Sequence, residues 1–258
     1  MIKIIKKAAF KLLGTKGYLR LMQRGFFTSY SLGLLRNNPS YSYHYFDRKL
    51  INEGDYVIDI GANLGYYSKL FSKWVGKSGK VYAVEPIKIY NEVFKLATKN
   101  TKNIVLYPYA LGDEEKLITL VTKSNNGYLN TGLPHVYDKQ RDGDFEEQDF
   151  KFDAEMKIPN KLFADMEKID FIKCDIEGLE YIVLSNMKPI IEQHKPKVQV
   201  EVWGENETVM IDLFASIGYT PYKLYKGKLT DKSELLKRIK ADYIFIHKDD
   251  TIDGSLLY

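Results

Sequence analysis

Three short stretches hold residues whose types and spacing could do chemistry. The first is Val57-Ile58-Asp59-Ile60-Gly61-Ala62-Asn63-Leu64-Gly65, an apolar run entering a turn with glycines four apart and then a helical pattern. Gly61 permits a turn where a side chain would obstruct a ligand. Gly65 lets the next helix start close to the sheet, and exposed N–H groups between them can meet an anionic group. A nucleotide-like ligand is implied. A dinucleotide fingerprint wants Gly at the third position and three residues further on, where this chain has Asn63 and Tyr66, so a nicotinamide cofactor is not expected.

The second stretch, Lys80-Val81-Tyr82-Ala83-Val84-Glu85-Pro86, ends in a carboxylate twenty positions after Gly65. At the tip of a second strand Glu85 can accept hydrogen bonds from both hydroxyls of a ribose and would repel a 2′-phosphate. Adenosine with a free ribose fits. The third stretch, Ile172-Lys173-Cys174-Asp175-Ile176-Glu177-Gly178-Leu179-Glu180, closes a fourth strand, and Val198-Gln199-Val200-Glu201 follows as its neighbour. In open parallel sheets ligands bind beyond the carboxyl ends of the strands. Asp175 is therefore expected to face the same cavity as Asp59 and Glu85, with Glu201 beside it. Such carboxylates could orient a ligand's ammonium group, take a proton from an acceptor hydroxyl, or hold Mg²⁺ through oxygen ligands.

Other reactive side chains offer less. Lys173 shares a face with Asp175; buried, it must be paired or neutral, and it reads as a structural partner for Glu201 or Glu177 rather than as a base. Cys174, the one cysteine, reads as a small core residue. The four histidines have no metal-ligand spacing; His135 is the one candidate general base. His44, in Tyr41-Ser42-Tyr43-His44-Tyr45, could belong to a stacking lid or to ordinary packing.

The elements that must position these residues follow from the pattern. From Asp55 onward short β-branched runs alternate with amphipathic stretches, the sign of β-α-β units around a parallel sheet. Strands are expected near 56–60, 80–84, 103–107, 169–174, 197–202, 220–225 and 242–247, seven in all. Helices are expected near 65–75, 88–99, 178–187, 206–217 and 231–239. Residues 116–133 read as a β-hairpin, with Leu117, Thr119 and Val121 alternating before a turn at Asn125-Asn126-Gly127. Residues 134–157, rich in Asp and Glu, read as a structure-poor insertion.

Together these segments resemble the FkbM family of S-adenosylmethionine (AdoMet)-dependent methyltransferases. The resemblance spans residues 53 to about 203 and rests on the Asp59–Tyr67 turn, Val84-Glu85-Pro86, Ala110-Leu111-Gly112, the Asp175-x-Glu177-Gly178 signature and Val200-Glu201. It implies an α/β class I methyltransferase (Rossmann-like) fold with six parallel strands and one antiparallel, helices on both faces, and AdoMet as cofactor. It also implies O-methylation of a sugar or other small metabolite, and it puts Ala110 near the adenine ring. The cofactor-binding set is then Asp59, Gly61, Asn63, Gly65, Glu85 and Ala110; the catalytic candidates are Asp175 first, then Glu201 and His135. The acceptor is expected to be a sugar hydroxyl of a surface glycan, polysaccharide or glycolipid. A nucleic-acid methyltransferase and a non-catalytic AdoMet-binding scaffold are the rivals. Against nucleic acid stand the missing Asn/Asp-Pro-Pro-aromatic motif after strand four and the acidic insertion, which would repel phosphates.

The 258 residues, 45% of them apolar, suffice for one large core, read as a helical extension over 1–50 and a catalytic domain over 51–258 with an insertion at about 116–157. Net charge is +4, yet residues 1–46 hold Lys3, Lys6, Lys7, Lys11, Lys16, Arg20, Arg24 and Arg36 and neither Asp nor Glu. Residues 2–13 read as a short helix stopped by Gly14, with Ile2, Ile4, Ile5, Ala8, Ala9, Leu12 and Leu13 on one side and Lys3, Lys6, Lys7 and Lys11 on the other. It can lie peripherally on an anionic membrane surface, or pack its apolar side on the domain or on a second subunit. The single cysteine and the lysines interrupting the first apolar stretch favour a cytoplasmic location, with that helix at the inner face of the membrane.

Overall fold

Side chains that are apolar on both sides of a strand need cover on both faces, and the runs Tyr56–Ile60 (β1) and Phe171–Cys174 (β8) obtain it at the middle of an eight-stranded sheet. The computed structural model describes residues 2–124, 127–204 and 206–258. Around β1 and β8 lie β2 (Lys80–Val84), β3 (Ile104–Tyr107), β9 (Lys197–Val200), β10 (Tyr219–Tyr225), β11 (Lys228–Thr230) and β12 (Tyr243–His247), in the order β11-β10-β12-β9-β8-β1-β2-β3. β3, β2, β1, β8 and β9 run parallel; β12 is antiparallel to both β9 and β10. The seven expected strands and their directions are all present. The eighth, β11, forms because Lys226 (φ 50°) and Gly227 (φ 78°) make a two-residue left-handed turn that folds the chain back on β10.

Alternation decides which helices cover each face. Ile58, Ile60, Ile172, Cys174, Val198 and Val200 pack in one core with α7 (Glu180–Asn186), α8 (Lys188–His194) and α9 (Asn206–Ser216). Val57, Phe171 and Ile244 look the other way, toward α2 (Ser42–Phe46) and α3 (Tyr66–Trp74). α4 (Lys88–Thr98) follows β2, and α10 (Ser233–Arg238) precedes β12.

The amino-terminal helix α1 (Ile2–Ser31) breaks at Gly14 (φ 64°, ψ 176°), as the sequence leads one to expect, but resumes at once as a second arm. That arm buries Tyr18, Leu19 and Gln23, and Gln23 donates to the carbonyls of Leu64 (2.6 Å) and Val93 (3.1 Å). Tyr43 donates to the Asp242 carbonyl at 2.5 Å. The extension is thus built into the domain's core.

The insertion differs most from expectation. β5 (Lys116–Thr122) finds its antiparallel partner not at once but in β7 (Phe150–Lys157), inside the segment read as structure-poor. β4 (Ala110–Leu111) and β6 (His135–Val136) complete a four-stranded second sheet, with the short helix α5 (Lys139–Asp142) between β6 and β7. β7 alternates Phe150, Phe152, Ala154 and Met156 with charged residues, a period-two pattern hidden by the acidic composition. The alternation expected for β5 holds only in part: Val121 is buried, but Leu117 is 84% exposed, and Ile118 and Leu120 join Ala154 and Met156 in the core beneath α4. The expected turn falls on Asn125 and Asn126, which lie outside the described residues. This register predicts that Ile118→Ala costs about 2–4 kcal/mol of unfolding free energy, whereas Leu117→Ala changes it by less than about 0.5 kcal/mol, as denaturant titration will measure.

Candidate active site

Strand order reverses between β1 and β8, and beyond the carboxyl ends of the strands there lies a cavity of about 770 Å³. That volume is in the range of small-molecule and cofactor sites. Gly61, Asn63, Glu85, Ala110, Asp175 and Glu201 all line it, so six of the sequence-derived site residues come together. Gly61 (φ 81°) is required by close approach: a Cβ there would stand 1.8 Å from the carbonyl oxygen of Asp175. The constraint is therefore on the neighbouring backbone rather than on ligand access. Gly65 (φ 82°) similarly makes room for the Phe94 ring of α4, which a Cβ would meet at 2.7 Å, rather than for the sheet.

The turn's amides are not free, contrary to the anion-binding expectation. Gly61 and Ala62 N–H both donate to the Val84 carbonyl (3.0 and 2.9 Å), and Gly65 N–H donates to Ala62 (2.8 Å). Asn63 N–H donates to Glu85 Oε2 (2.9 Å) and Leu64 N–H to Asn63 Oδ1 (2.8 Å). The five amides from Gly61 to Gly65 are thus engaged within the protein and do not themselves meet an anion. Glu85 also accepts from Ile87 N–H at 2.8 Å, which fixes its carboxylate at the cavity wall, and burial pushes its pKa up to about 7. Asn63 Nδ2 donates to the Thr131 carbonyl (2.7 Å) and ties the insertion to the turn.

Below the cavity a polar row crosses the sheet. Asp59, Lys173 and Gln199 are register partners on β1, β8 and β9 and point toward α2 and α3. Asp59 does not face the cavity, as expected of it: it is fully buried and accepts a hydrogen bond from Ser68 of α3. Lys173 pairs not with Glu201 or Glu177 but with Asp175, at 2.9 Å. Burial alone would lower the Lys173 pKa, but the carboxylates of Asp175 and Asp59 outweigh it and hold the ammonium above the usual lysine value. A neutral lysine base is ruled out. Burial would raise Asp175, yet the Lys173 charge prevails and holds it below the ordinary value. Glu201 is hydrogen-bonded to Asp175, and burial together with the Asp175 charge lifts it to about 8. Burial and Asp175 likewise raise Glu177 to about 7. One carboxylate oxygen from each of these three lies within 4.8 Å of the others.

His135 is displaced from the role expected of it. Pro134 and Val136 line the cavity and His135 between them points away, with Nδ1 2.8 Å from the Leu133 carbonyl and Nε2 2.9 Å from Asp142 Oδ1. Both ring nitrogens are engaged within the insertion, so His135 clips it together and presents neither nitrogen to the cavity.

Comparison with known proteins agrees with this geometry. A family model described as the methyltransferase FkbM domain matches residues 59–220, well over half of the chain. The chain belongs to the FkbM methyltransferase family. Membership implies AdoMet as the methyl donor. The structure of a methyltransferase FkbM from Methylobacillus flagellatus KT superposes with a TM-score of 0.52 at 16% identity, over 80% of this chain and 48% of that one. That likeness is one of fold. A protein-L-isoaspartate O-methyltransferase of Thermosipho melanesiensis is 41% identical over 56 residues, 22% of this chain and 27% of that protein. The chain thus spans about a quarter of this curated relative's length and about half of the structural one.

Two further residues shape this FkbM site: His44, which the sequence leaves open between a stacking lid and ordinary packing, and Glu180, to which it assigns no role. His44 lines the cavity, stacked on Tyr67 at 3.9 Å; burial and the nearby Lys173 charge push its pKa down to about 3, and its Nδ1 has no partner. It is a fixed neutral wall rather than a lid. Glu180 accepts from the amides of Ile176 (2.9 Å) and Gly178 (3.0 Å) and so sets the loop that carries Glu177, at φ 58°, into the cavity. An acid two residues after the Asp-x-Glu-Gly signature was the available signal. Because Lys173 is the buried cation of this site, Lys173→Met is predicted to cost about 3–5 kcal/mol of stability. Adding Asp175→Asn should restore about 1 kcal/mol or more, read as a coupling energy in a double-mutant cycle.

Proposed function

We propose that this protein transfers the methyl group of AdoMet to a hydroxyl, in the first instance of a sugar in a surface glycan, polysaccharide or glycolipid. The observation that carries this reading is one cavity walled at one end by Glu85 and the turn after β1, and at the other by the Asp175–Glu201 pair. Glu85 would accept from the ribose hydroxyls, and Ala110 and Leu111 would flank the adenine. AdoMet when bound supplies an electrophilic methyl. The protein's part is to hold the acceptor oxygen in line with it and to take the hydroxyl proton. Tyr18, Phe26, Tyr41, Tyr66 and Tyr128 on the cavity wall suit the C–H faces of a sugar ring. Asp175, kept ionised by Lys173, orients the hydroxyl, and Glu201 accepts the proton once it has lost its own.

The pH dependence follows. Glu201 is raised to about 8, so below that pH the pair holds a proton and the base is blocked. Turnover should rise with pH and level off above about 8, and Glu201→Gln should remove that inflection and slow turnover about 10²-fold or more. Lys173 already neutralises Asp175, so activity should survive EDTA; loss on chelation with recovery on Mg²⁺ would make Asp175, Glu177 and Glu201 a cation site instead.

Glu85→Ala should weaken AdoMet binding about 10- to 100-fold in calorimetry, since charge-assisted hydrogen bonds of about 1.5–3 kcal/mol are lost, and NADH should not compete. Labelled methyl from AdoMet is expected in a surface-glycan fraction. Label in RNA would establish the nucleic-acid alternative, and binding without transfer to any fraction the scaffold.

A further inference from the structure

The two arms of α1 use their apolar residues in opposite ways. In the second arm Tyr18, Leu19, Met22 and Phe26 turn inward to core and cavity, and Arg20 and Arg24 face water. In the first arm the domain is met by Phe10, whose ring stands edge-on to Tyr18 (5.3 Å) and Phe150 (6.1 Å), and by Lys6, 5.9 Å from the Tyr128 ring. The aliphatic residues point elsewhere: Ile4 is 73%, Ile5 61% and Leu12 83% exposed. At about 100° per residue, Ile4, Ile5, Ala8 and Leu12 fall within an arc of about 100°, bordered by Lys7 and Lys11 and turned well away from Phe10 and Lys6. The arm thus meets the domain through Ala9 and Phe10, and leaves the stripe of Ile4, Ile5 and Leu12 exposed on the other side.

We propose that this stripe docks on the surface of an anionic lipid bilayer. Charge selects the occupant: residues 1–46 carry eight basic and no acidic residues, which favours anionic headgroups. A second copy of the same arm would set Lys7 and Lys11 against their like. No helix among the described residues is long and apolar enough to cross a membrane, so the contact is interfacial. Lys6 lines the cavity, and Lys7 lies against Gly127 in the loop leading to Tyr128 at the cavity wall, so a bilayer under the stripe is separated from the cavity by about the width of one helix. Docking is independent of which acceptor is methylated.

Co-sedimentation of the full chain with phosphatidylcholine vesicles, with and without about one-third phosphatidylglycerol, tests this. The intact protein should pellet with the anionic vesicles at low salt and release as salt screens the headgroups. Ile5→Ser/Leu12→Ser should reduce the bound-to-free ratio about tenfold or more, and Lys7→Gln/Lys11→Gln should weaken binding and flatten its salt dependence. All these side chains are exposed, so AdoMet affinity should be unchanged and reports that the variants are folded. Failure of the intact protein to bind anionic vesicles at low salt, or equal binding by Ile5→Ser/Leu12→Ser, overturns the proposal. Self-association in sedimentation velocity that Ile5→Ser/Leu12→Ser abolishes, without vesicle binding, assigns the stripe to a second copy and overturns it equally.

Discussion

A single ammonium group placed inside the sheet organises this molecule. Lys173 lies on a central strand with its side chain 3% exposed, under the Tyr67 ring at 4.7 Å and within the field of Asp47, Asp59, Asp175 and Asp242. One cation cannot offset four carboxylates, and geometry settles the division. Asp175, at hydrogen-bond distance, keeps its charge, while burial pushes Asp47, Asp59 and Asp242 upward. Burial, and after it the ionised Asp175, raise Glu201 and Glu177; burial, and after it the ammonium, keep His44 neutral. The protonation pattern at the cavity floor is therefore set by burial and tuned by one residue on β8.

Backbone contact joins this floor to the Glu85 end of the cavity. Gly61 lies against the carbonyl of Asp175, so the turn after β1 and the loop after β8 are each other's packing surface. A side chain at Gly61 would part the two halves of the site at once. The same turn spends its amides internally and on Glu85, which locks the turn to the end of β2. Asn63 extends the linkage to Thr131, and through it to the insertion that roofs the cavity.

Much of this was legible from local patterns. Strand-end residues followed by a turn, such as Gly61, Glu85, Asp175 and Glu201, must appear at the carboxyl edge of a parallel sheet, and they do. What escaped depends on contacts between distant segments or on strand parity. Asp59 and His135 sit one position out of phase with neighbours that face the cavity, and a period-two element turns such residues away. β7 is masked by its charged alternate residues; β5 pairs only briefly with the two-residue β6, and its long partner β7 lies beyond α5. His44 becomes part of the site through α2 packing over β8, a juxtaposition that spacing does not encode.

Beside the charge-balanced Lys173–Asp175 pair, Glu201 is held protonated. Carbon-13 NMR of protein labelled at the glutamate side-chain carboxyl, with Glu201 assigned by its loss in Glu201→Gln, reads this directly. The Glu201 carboxyl should titrate at about pH 8 and move down toward its ordinary value when Asp175 becomes Asn. A Glu201 carboxyl titrating in the ordinary glutamate range, unmoved by Asp175→Asn, would contradict it.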